Sequence, residues 1–130
     1  MKPTVYLVGA GPGDPGLITV KAKKLIKSAD VIVYDYLSNP IFINESKQTC
    51  KLINAGKRLG FKAMTQTQIN KKLVSLAKSG FRTIVRLKGG DPLLFGRGGE
   101  EAEYLKKNKI KFEIVPVSYT HLTLPTRLMV

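Results

Sequence analysis

The chain has 130 residues, of which 43% are hydrophobic, and this size and composition predict one modest globular domain with a real core. No apolar run reaches the roughly 18 residues that a membrane-spanning helix needs, and the single cysteine, Cys50, excludes an intrachain disulfide framework. The formal net charge of +13 leaves three interpretations open: a nucleic-acid partner, a polyanionic small substrate, or a lysine-rich solvated surface.

Strand-like and helix-like segments alternate along the chain. Short apolar runs predict strands at 5–8, 31–34, 51–54, 82–87 and 112–115. Apolar spacing and cap signals predict helices at 19–28, 66–79 and 98–107, with a short helix after Asn39-Pro40. The alternation predicts an α/β fold with a mostly parallel sheet of about five strands and flanking helices. In such a fold, ligand loops gather beyond the carboxyl ends of the strands.

The first such loop, Gly9–Gly16, is rich in glycine and follows a predicted strand. It fails the spacing of a dinucleotide-binding loop because Asp14 stands at the third glycine position. Pro12 and Pro15 also remove two amide donors that a pyrophosphate would need. Taken alone, the loop fits a structural turn as well as it fits a ligand site.

The segment Arg86–Glu101 carries the strongest functional signal. Five of its sixteen residues are glycines, and the carboxylate of Asp91, two arginines and a lysine stand among them. Glycine lets the backbone approach a ligand closely, and Asp91 and the arginines can add charge selectivity. This composition predicts a ligand loop rather than a mere connection.

Asp35, Lys57 and Arg58 are weaker candidates. Asp35 follows a predicted strand, so it is either a proton acceptor in a cleft or a helix cap or turn residue. Lys57-Arg58 can bind an anion, or can be an exposed basic loop. His121 is the sole histidine and Cys50 stands alone, so the sequence offers no metal-ligand spacing, and we expect no metal.

Four separated motifs, Val8–Pro15, Ala29–Asp35, Gly56–Arg58 and Arg86–Glu101, occur in the order and spacing of one known family. Over about residues 4–116 the chain resembles the uroporphyrinogen-III C-methyltransferases, a branch of the tetrapyrrole methylases. The resemblance implies S-adenosylmethionine-dependent methylation of two carbons of uroporphyrinogen III. The product is precorrin-2, which feeds siroheme and corrinoid (cobalamin) synthesis. It also implies a cytoplasmic homodimer with its active site in a trough between two α/β domains, and no nucleic-acid or membrane partner.

The functional residues of the family can be assigned to this chain where its motifs match position by position. The resemblance implies that Asp35 is the proton acceptor and Lys57 the proton donor. It implies that S-adenosylmethionine is contacted by Pro12, Gly89, Gly90, Asp91 and Leu94. The substrate carries many carboxylates, and from their loop placement we hypothesise that Arg58 and Arg97 hold it.

The chain departs from the family in two places. Lys62 stands where the family usually has a histidine, which affects local substrate contacts. Residues 117–130 resemble translated sequencing-adapter read-through rather than the family's continuation, so we expect a domain at 1–116, a non-native tail, and no C-terminal domain. We therefore expect little activity from the chain by itself. Two rival functions remain: another precorrin methyltransferase, or a basic α/β module that binds nucleic acid.

Overall fold

The computed structural model describes residues 2–9, 20–35, 44–56, 60, 62–88 and 98–115. The strands are β1 (Thr4–Gly9), β2 (Val31–Tyr34), β3 (Lys51–Asn54), β4 (Thr83–Lys88) and β5 (Lys111–Val115). The helices are α1 (Val20–Ser28), α2 (Gln66–Lys78) and α3 (Gly98–Lys107). These elements confirm the predicted alternation, with boundaries within about two residues of those expected. None of the helices in the described ranges has the length and apolarity to span a membrane.

The five strands form one sheet in the order β3-β2-β4-β1-β5, and every described pairing is parallel. This confirms the predicted fold class. The central strands β1 and β4 are mostly apolar, as expected for strands of a parallel sheet whose two faces are both covered, although Arg86 and Lys88 interrupt β4. β4 is buried at five of its six positions, and β1 likewise.

Helices cover both faces of the sheet. Ala22 and Ile26 of α1 pack on one face against Ile32 and Val85. On the other face lie α2 and α3, whose core residues Ile69, Leu73, Val74, Leu76, Ala77 and Leu105 pack against the alternate side chains of β1, β2 and β4. Because side chains alternate along a strand, Arg86 and Lys88 lie on the same face as Ile84, toward α2 and α3.

Local signals in the sequence fix both ends of α2. Thr65 caps its start: the Thr65 hydroxyl accepts the N–H of Gln68, and the Gln68 side chain accepts the N–H of Thr65. This reciprocal pair satisfies two amides that the first turn leaves without partners. Gly80 follows the helix with φ of 97°, a conformation that glycine adopts without strain. The predicted helix stop is therefore confirmed.

Asp30 joins β2 to β4 at the amino edge of the sheet. Its Oδ2 accepts the backbone N–H groups of Arg82 (3.1 Å) and Thr83 (3.0 Å), and its Oδ1 accepts from Lys47 Nζ at 2.8 Å. The Lys47 hydrogen bond, with the two backbone hydrogen bonds, holds the pKa of Asp30 below its ordinary value, against an opposing effect of burial. The charge of this carboxylate therefore supports the fold.

The sheet order creates a crevice at the opposite, carboxyl edge. The chain leaves β2 outward to β3, whereas it leaves the neighbouring β4 in the other direction, past β1, to β5. Connections that diverge from adjacent parallel strands leave a gap between them, and ligands of open α/β sheets bind in such gaps. The fold therefore selects the ends of β2 and β4 as the place to look for a site.

Candidate functional site

Asp35 is the first residue after β2, at the mouth of this crevice. Its backbone N–H donates to the Leu87 carbonyl of β4 at 3.4 Å, so the sheet itself holds the residue in place. The side chain is 36% exposed, which leaves the carboxylate open to a ligand. An ionised carboxylate in a cleft can accept a proton from a bound molecule.

Arg86 lies beneath Asp35 with only 2% of its side chain exposed. Its Nη2 donates to both Asp35 oxygens, at 3.1 and 3.2 Å, and its Nε donates to Glu101 Oε2 at 3.1 Å. Its Nη1 points at the carbonyls of Val33 (3.5 Å) and Leu87 (3.4 Å). A buried guanidinium needs such partners because an unpaired charge in the interior is very costly.

Glu101 closes the cluster from the side of α3 and is fully buried. It stands in the first turn of that helix, where the helix dipole favours a negative charge. Its Oε2 also accepts from Gln66 Nε2 of α2 at 3.1 Å, and Gln66 in turn donates to Asn70 at 2.8 Å. Glu101 therefore joins both helices to the charged end of β4.

Lys88, the last residue of β4, completes the cluster of Asp35, Arg86, Lys88 and Glu101. Its Nζ is 3.4 Å from Glu101 Oε1, an oxygen with no well-aligned hydrogen bond among the described residues. Lys88 is 4% exposed, and burial lowers its pKa more than the neighbouring Glu101 carboxylate raises it. The cluster thus has two cations and two carboxylates, which balance formally: Arg86, Lys88 and Glu101 are buried, and Asp35 is partly exposed.

The charged cluster borders an open depression of about 490 Å³. The depression is lined by Asp35, Met64, Thr65, Gln66, Ile69, Arg86 and Lys88. The apolar Met64 and Ile69 lie beside the charged groups, as is usual for small-molecule sites. The arrangement can hold a ligand against a fixed carboxylate.

Of the site residues predicted from the sequence, Asp35 is the one that falls within the described ranges. Pro12, Lys57, Arg58, Gly89, Gly90, Asp91, Leu94 and Arg97 lie outside the described residues, as do His121 and residues 117–130. The strand ends that lead into the two glycine-rich loops are described. Gly9 of β1 pairs with Lys88 of β4, and Tyr34 of β2 pairs with Leu87, so three strands end at one level.

Arg86, Lys88 and Glu101 lie in the segment that the sequence predicts as a ligand loop, but they are not among the site residues named from the sequence, and Gln66 has no role assigned there. A signal for two of them was present: Arg86 and Lys88 interrupt an apolar strand that is central in the sheet. Charged residues are almost never fully buried unless they are paired, so this pattern calls for carboxylate partners. Which carboxylates pair with these cations depends on how α3 packs on the sheet, because Glu101 belongs to α3.

Among the described residues, no cluster of three or more histidine, cysteine, aspartate or glutamate side chains is arranged to hold a metal ion. Cys50 is half-buried, beside the core that underlies α1, and burial raises the pKa of its thiol. A raised pKa reduces the thiolate fraction and so the nucleophilicity of the sulfur.

The comparisons with known proteins agree with this geometry. Residues 4–117 match the model of the tetrapyrrole (corrin/porphyrin) methylases. The S-adenosyl-L-methionine-dependent uroporphyrinogen III methyltransferase of Methanosarcina barkeri is 52% identical over 93% of this chain and 47% of its own length. The uroporphyrinogen-III C-methyltransferase of Bacillus subtilis is 55% identical over 86% of this chain and 43% of its own length.

A solved structure leads to the same family. The crystal structure of uroporphyrin-III C-methyltransferase from Thermus thermophilus superposes with a TM-score of 0.78 at 41% identity, covering 91% of this chain and 49% of that one. The chain spans about half the length of the curated relatives it matches. The family match over most of the chain, together with the parallel sheet and the crevice at its carboxyl edge, shows that this protein belongs to the tetrapyrrole methylases.

Proposed function

We propose that this chain supplies the N-terminal domain of an S-adenosylmethionine-dependent C-methyltransferase that converts uroporphyrinogen III to precorrin-2. The observation that carries the proposal is the Asp35 carboxylate, held by buried Arg86 at the crevice between β2 and β4. Support comes from relatives that bear this activity in their names. The siroheme and cobalamin pathways both begin from this product.

The chemistry suits a crevice with one fixed carboxylate. A methyl carbon passes from the sulfonium of the donor to a ring carbon of the substrate: one C–S bond breaks and one C–C bond forms. The sulfur leaves neutral, so it needs no acid, and the methylated framework loses a proton to a base. Asp35 is the proposed acceptor of that proton, and Lys57 is the proposed donor elsewhere in the cycle. Holding the two reactants in register supplies much of the rate.

The remaining site roles are proposed by position in the sequence. Pro12 follows shortly after the end of β1, and Gly89, Gly90, Asp91 and Leu94 follow the end of β4. The last described residues before these segments, Gly9 of β1 and Lys88 of β4, are paired in adjacent strands. That adjacency favours one shared donor site with Asp35 near its edge. Arg58 and Arg97 are the proposed contacts for the carboxylates of the substrate, and the net charge of +13 favours an acidic ligand.

The parent enzyme is proposed to be a cytoplasmic homodimer with a second α/β domain after residue 116 and a native sequence in place of 117–130. Under this proposal the 130-residue chain methylates uroporphyrinogen III slowly or not at all, because it supplies only one of the two domains that form the active-site trough.

The test uses radiolabelled methyl transfer from S-adenosylmethionine to uroporphyrinogen III, with the 130-residue chain and with a hybrid enzyme. In the hybrid, residues 1–116 of this chain replace the matching segment of the Bacillus subtilis relative. We expect the hybrid to produce precorrin-2 and Asp35→Asn to lower its kcat roughly 10²–10⁴-fold, the range for loss of a general base. Glu103→Gln, on the exposed side of α3, is the matched control and should leave kcat unchanged.

Four results would contradict the proposal or part of it. A folded hybrid without methyl transfer would remove the assignment, and an Asp35→Asn hybrid with full kcat would remove the role of the carboxylate. Methylation of a precorrin in preference to uroporphyrinogen III in a competition assay would favour the rival methyltransferase. Strongly salt-dependent binding to DNA or RNA without any methyl transfer would favour the nucleic-acid module.

A further inference from the structure

We propose that Arg86 is a positioning residue that fixes the Asp35 carboxylate for proton transfer, and that Glu101 anchors Arg86 from below. The inference rests on the proposed function, because it assigns Arg86 an action through Asp35. It concerns side chains on β4 and α3 that lie beneath the ligand-facing surface.

The guanidinium has no donor to spare for a ligand. Arginine carries five N–H groups, and the structure gives Arg86 five acceptor atoms: two on Asp35, one on Glu101, and the carbonyls of Val33 and Leu87. With its side chain 2% exposed, Arg86 meets a ligand only by giving up one of these contacts. A role in binding substrate carboxylates is therefore disfavoured, and a role in holding Asp35 is favoured.

The contact between the Arg86 guanidinium and Asp35 can orient the Asp35 carboxylate. Both carboxylate oxygens accept from the same Nη2, at 3.1 and 3.2 Å, so the carboxylate group is held from beneath while 36% of the side chain stays exposed. A proton acceptor must lie within hydrogen-bond reach of the proton it removes, and rotation of a free aspartate would lose that reach. The backbone bond from Asp35 to Leu87 holds the main chain of the same residue.

Glu101 sets the orientation of Arg86 in turn. Its Oε2 accepts from Nε, a different nitrogen from the Nη2 that donates to Asp35, and Gln66 donates to the same oxygen. Glu101 is completely buried and lies on α3, which packs against α2 and the sheet. A rigid chain of contacts thus runs from α3 through Arg86 to the carboxylate at the crevice.

The experiment is a double-mutant cycle of Arg86→Lys and Asp35→Asn, with kcat and KM of methyl transfer measured in the hybrid enzyme. The 130-residue chain is measured as well if it has methyltransferase activity. Arg86→Lys keeps the charge but loses the fork, so we expect kcat to fall tenfold or more with both KM values within about twofold. In an Asp35→Asn background, the same substitution should change kcat less than about twofold, since residues that act as a unit are not additive. Arg82→Lys, at the exposed amino end of β4, is the matched control.

A second variant covers the case in which Arg86→Lys does not fold. Glu101→Gln keeps the shape of the anchor and removes its charge, and we expect it also to lower kcat, with an effect that vanishes in the Asp35→Asn background. An effect that multiplies fully with Asp35→Asn would show that Arg86 or Glu101 acts structurally and would overturn the inference. Full kcat in Arg86→Lys or Glu101→Gln would do the same. A folded hybrid without methyl transfer would instead remove the proposed function, and full kcat in Asp35→Asn would remove the proposed role of its carboxylate, so the failures are distinguishable.

Discussion

Two aspartates flank the short strand β2, and they serve opposite edges of the sheet. Asp30 precedes the strand and gives its oxygens to the backbone N–H groups of Arg82 and Thr83 and to Lys47. Asp35 follows the strand and accepts from the side chain of Arg86 while remaining open to the crevice. The same residue type, five positions apart, thus joins two strands at one edge and borders the candidate site at the other.

The difference lies in what each carboxylate satisfies. Asp30 accepts from backbone N–H groups where β4 begins, and these groups would otherwise lack this partner. We therefore expect its loss to lower the free energy of unfolding. Asp35 accepts from a guanidinium that the interior also holds through Glu101 and two carbonyls. We therefore expect the fold to tolerate Asp35→Asn, because the amide oxygen can still accept from Arg86. In this sheet, the structural carboxylate therefore stands at the amino edge and the candidate chemical carboxylate at the carboxyl edge, where ligands of such sheets bind.

The largest expected effect on catalysis is that of Asp35→Asn in the hybrid enzyme. We expect kcat to fall roughly 10²–10⁴-fold because a neutral amide cannot accept the proton. Asp30→Asn, the matched variant at the other edge, should leave kcat within about twofold after correction for the folded fraction. Radiolabelled methyl transfer measures both, and equal losses in the two variants would erase the distinction between the edges.

The largest expected effect on stability is that of Glu101→Ala. The substitution removes the Glu101 carboxylate, which pairs with both Arg86 and Lys88, and leaves Asp35 as the one carboxylate of the cluster. Removing one partner of a buried ion pair costs about 3–5 kcal/mol. Urea unfolding of the 130-residue chain, followed by circular dichroism, measures the free energy of unfolding. Glu103→Ala, two positions along the same helix and exposed, is the control and should change it by less than about 0.5 kcal/mol. A small loss at Glu101 would contradict the anchoring role.

Most of the fold could be predicted from the sequence, because it rests on local signals. The apolar runs of β1, β2 and β4 and the periodic pattern of α2 are strong, and the alternation of elements implies the parallel sheet. Position in the sequence also selected Asp35 correctly as a residue at a carboxyl strand end.

The charged cluster beneath Asp35 could not be predicted in the same way. Its contacts join residues far apart in sequence, such as Asp35 with Arg86 and Gln66 with Glu101, and they depend on strand order and on helix packing. The sequence analysis treated Arg86 and Glu101 as parts of a ligand loop, although their positions are buried. A charged residue within an apolar central strand is the signal that would have separated them from the loop.

An intermediate effect is expected for Asp30→Asn on stability. We expect a loss of about 1–3 kcal/mol at pH 7, the range for hydrogen bonds to a charged group. Because the folded pKa of Asp30 lies below its ordinary value of 3.8, its contribution is fully present above that pH. It is lost as pH falls through the folded pKa. Urea unfolding between pH 2 and 7 should show a shallower acid decline for Asp30→Asn, and parallel curves would contradict the role of its charge.

The smallest expected effect is that of Thr65→Ala, which removes the cap of α2 at the rim of the depression. We expect a loss of about 1 kcal/mol, the usual cost of losing such a cap. Thr67→Ala, exposed in the first turn of the same helix, should be neutral or slightly stabilising because alanine is the better helix former. Thermal unfolding measures the Tm of the two variants, and equal Tm values for Thr65→Ala and Thr67→Ala would show that the cap contributes little to stability.

The most direct test of the account measures two quantities on the Asp30→Asn and Asp35→Asn variants: the free energy of unfolding in the 130-residue chain, and kcat in the hybrid enzyme. The account predicts a crossed result, in which Asp30→Asn loses about 1–3 kcal/mol with kcat retained. Asp35→Asn should lose no more than about 1 kcal/mol while its kcat collapses. Variants that lose stability and kcat in parallel would contradict the division between a structural edge and a chemical edge.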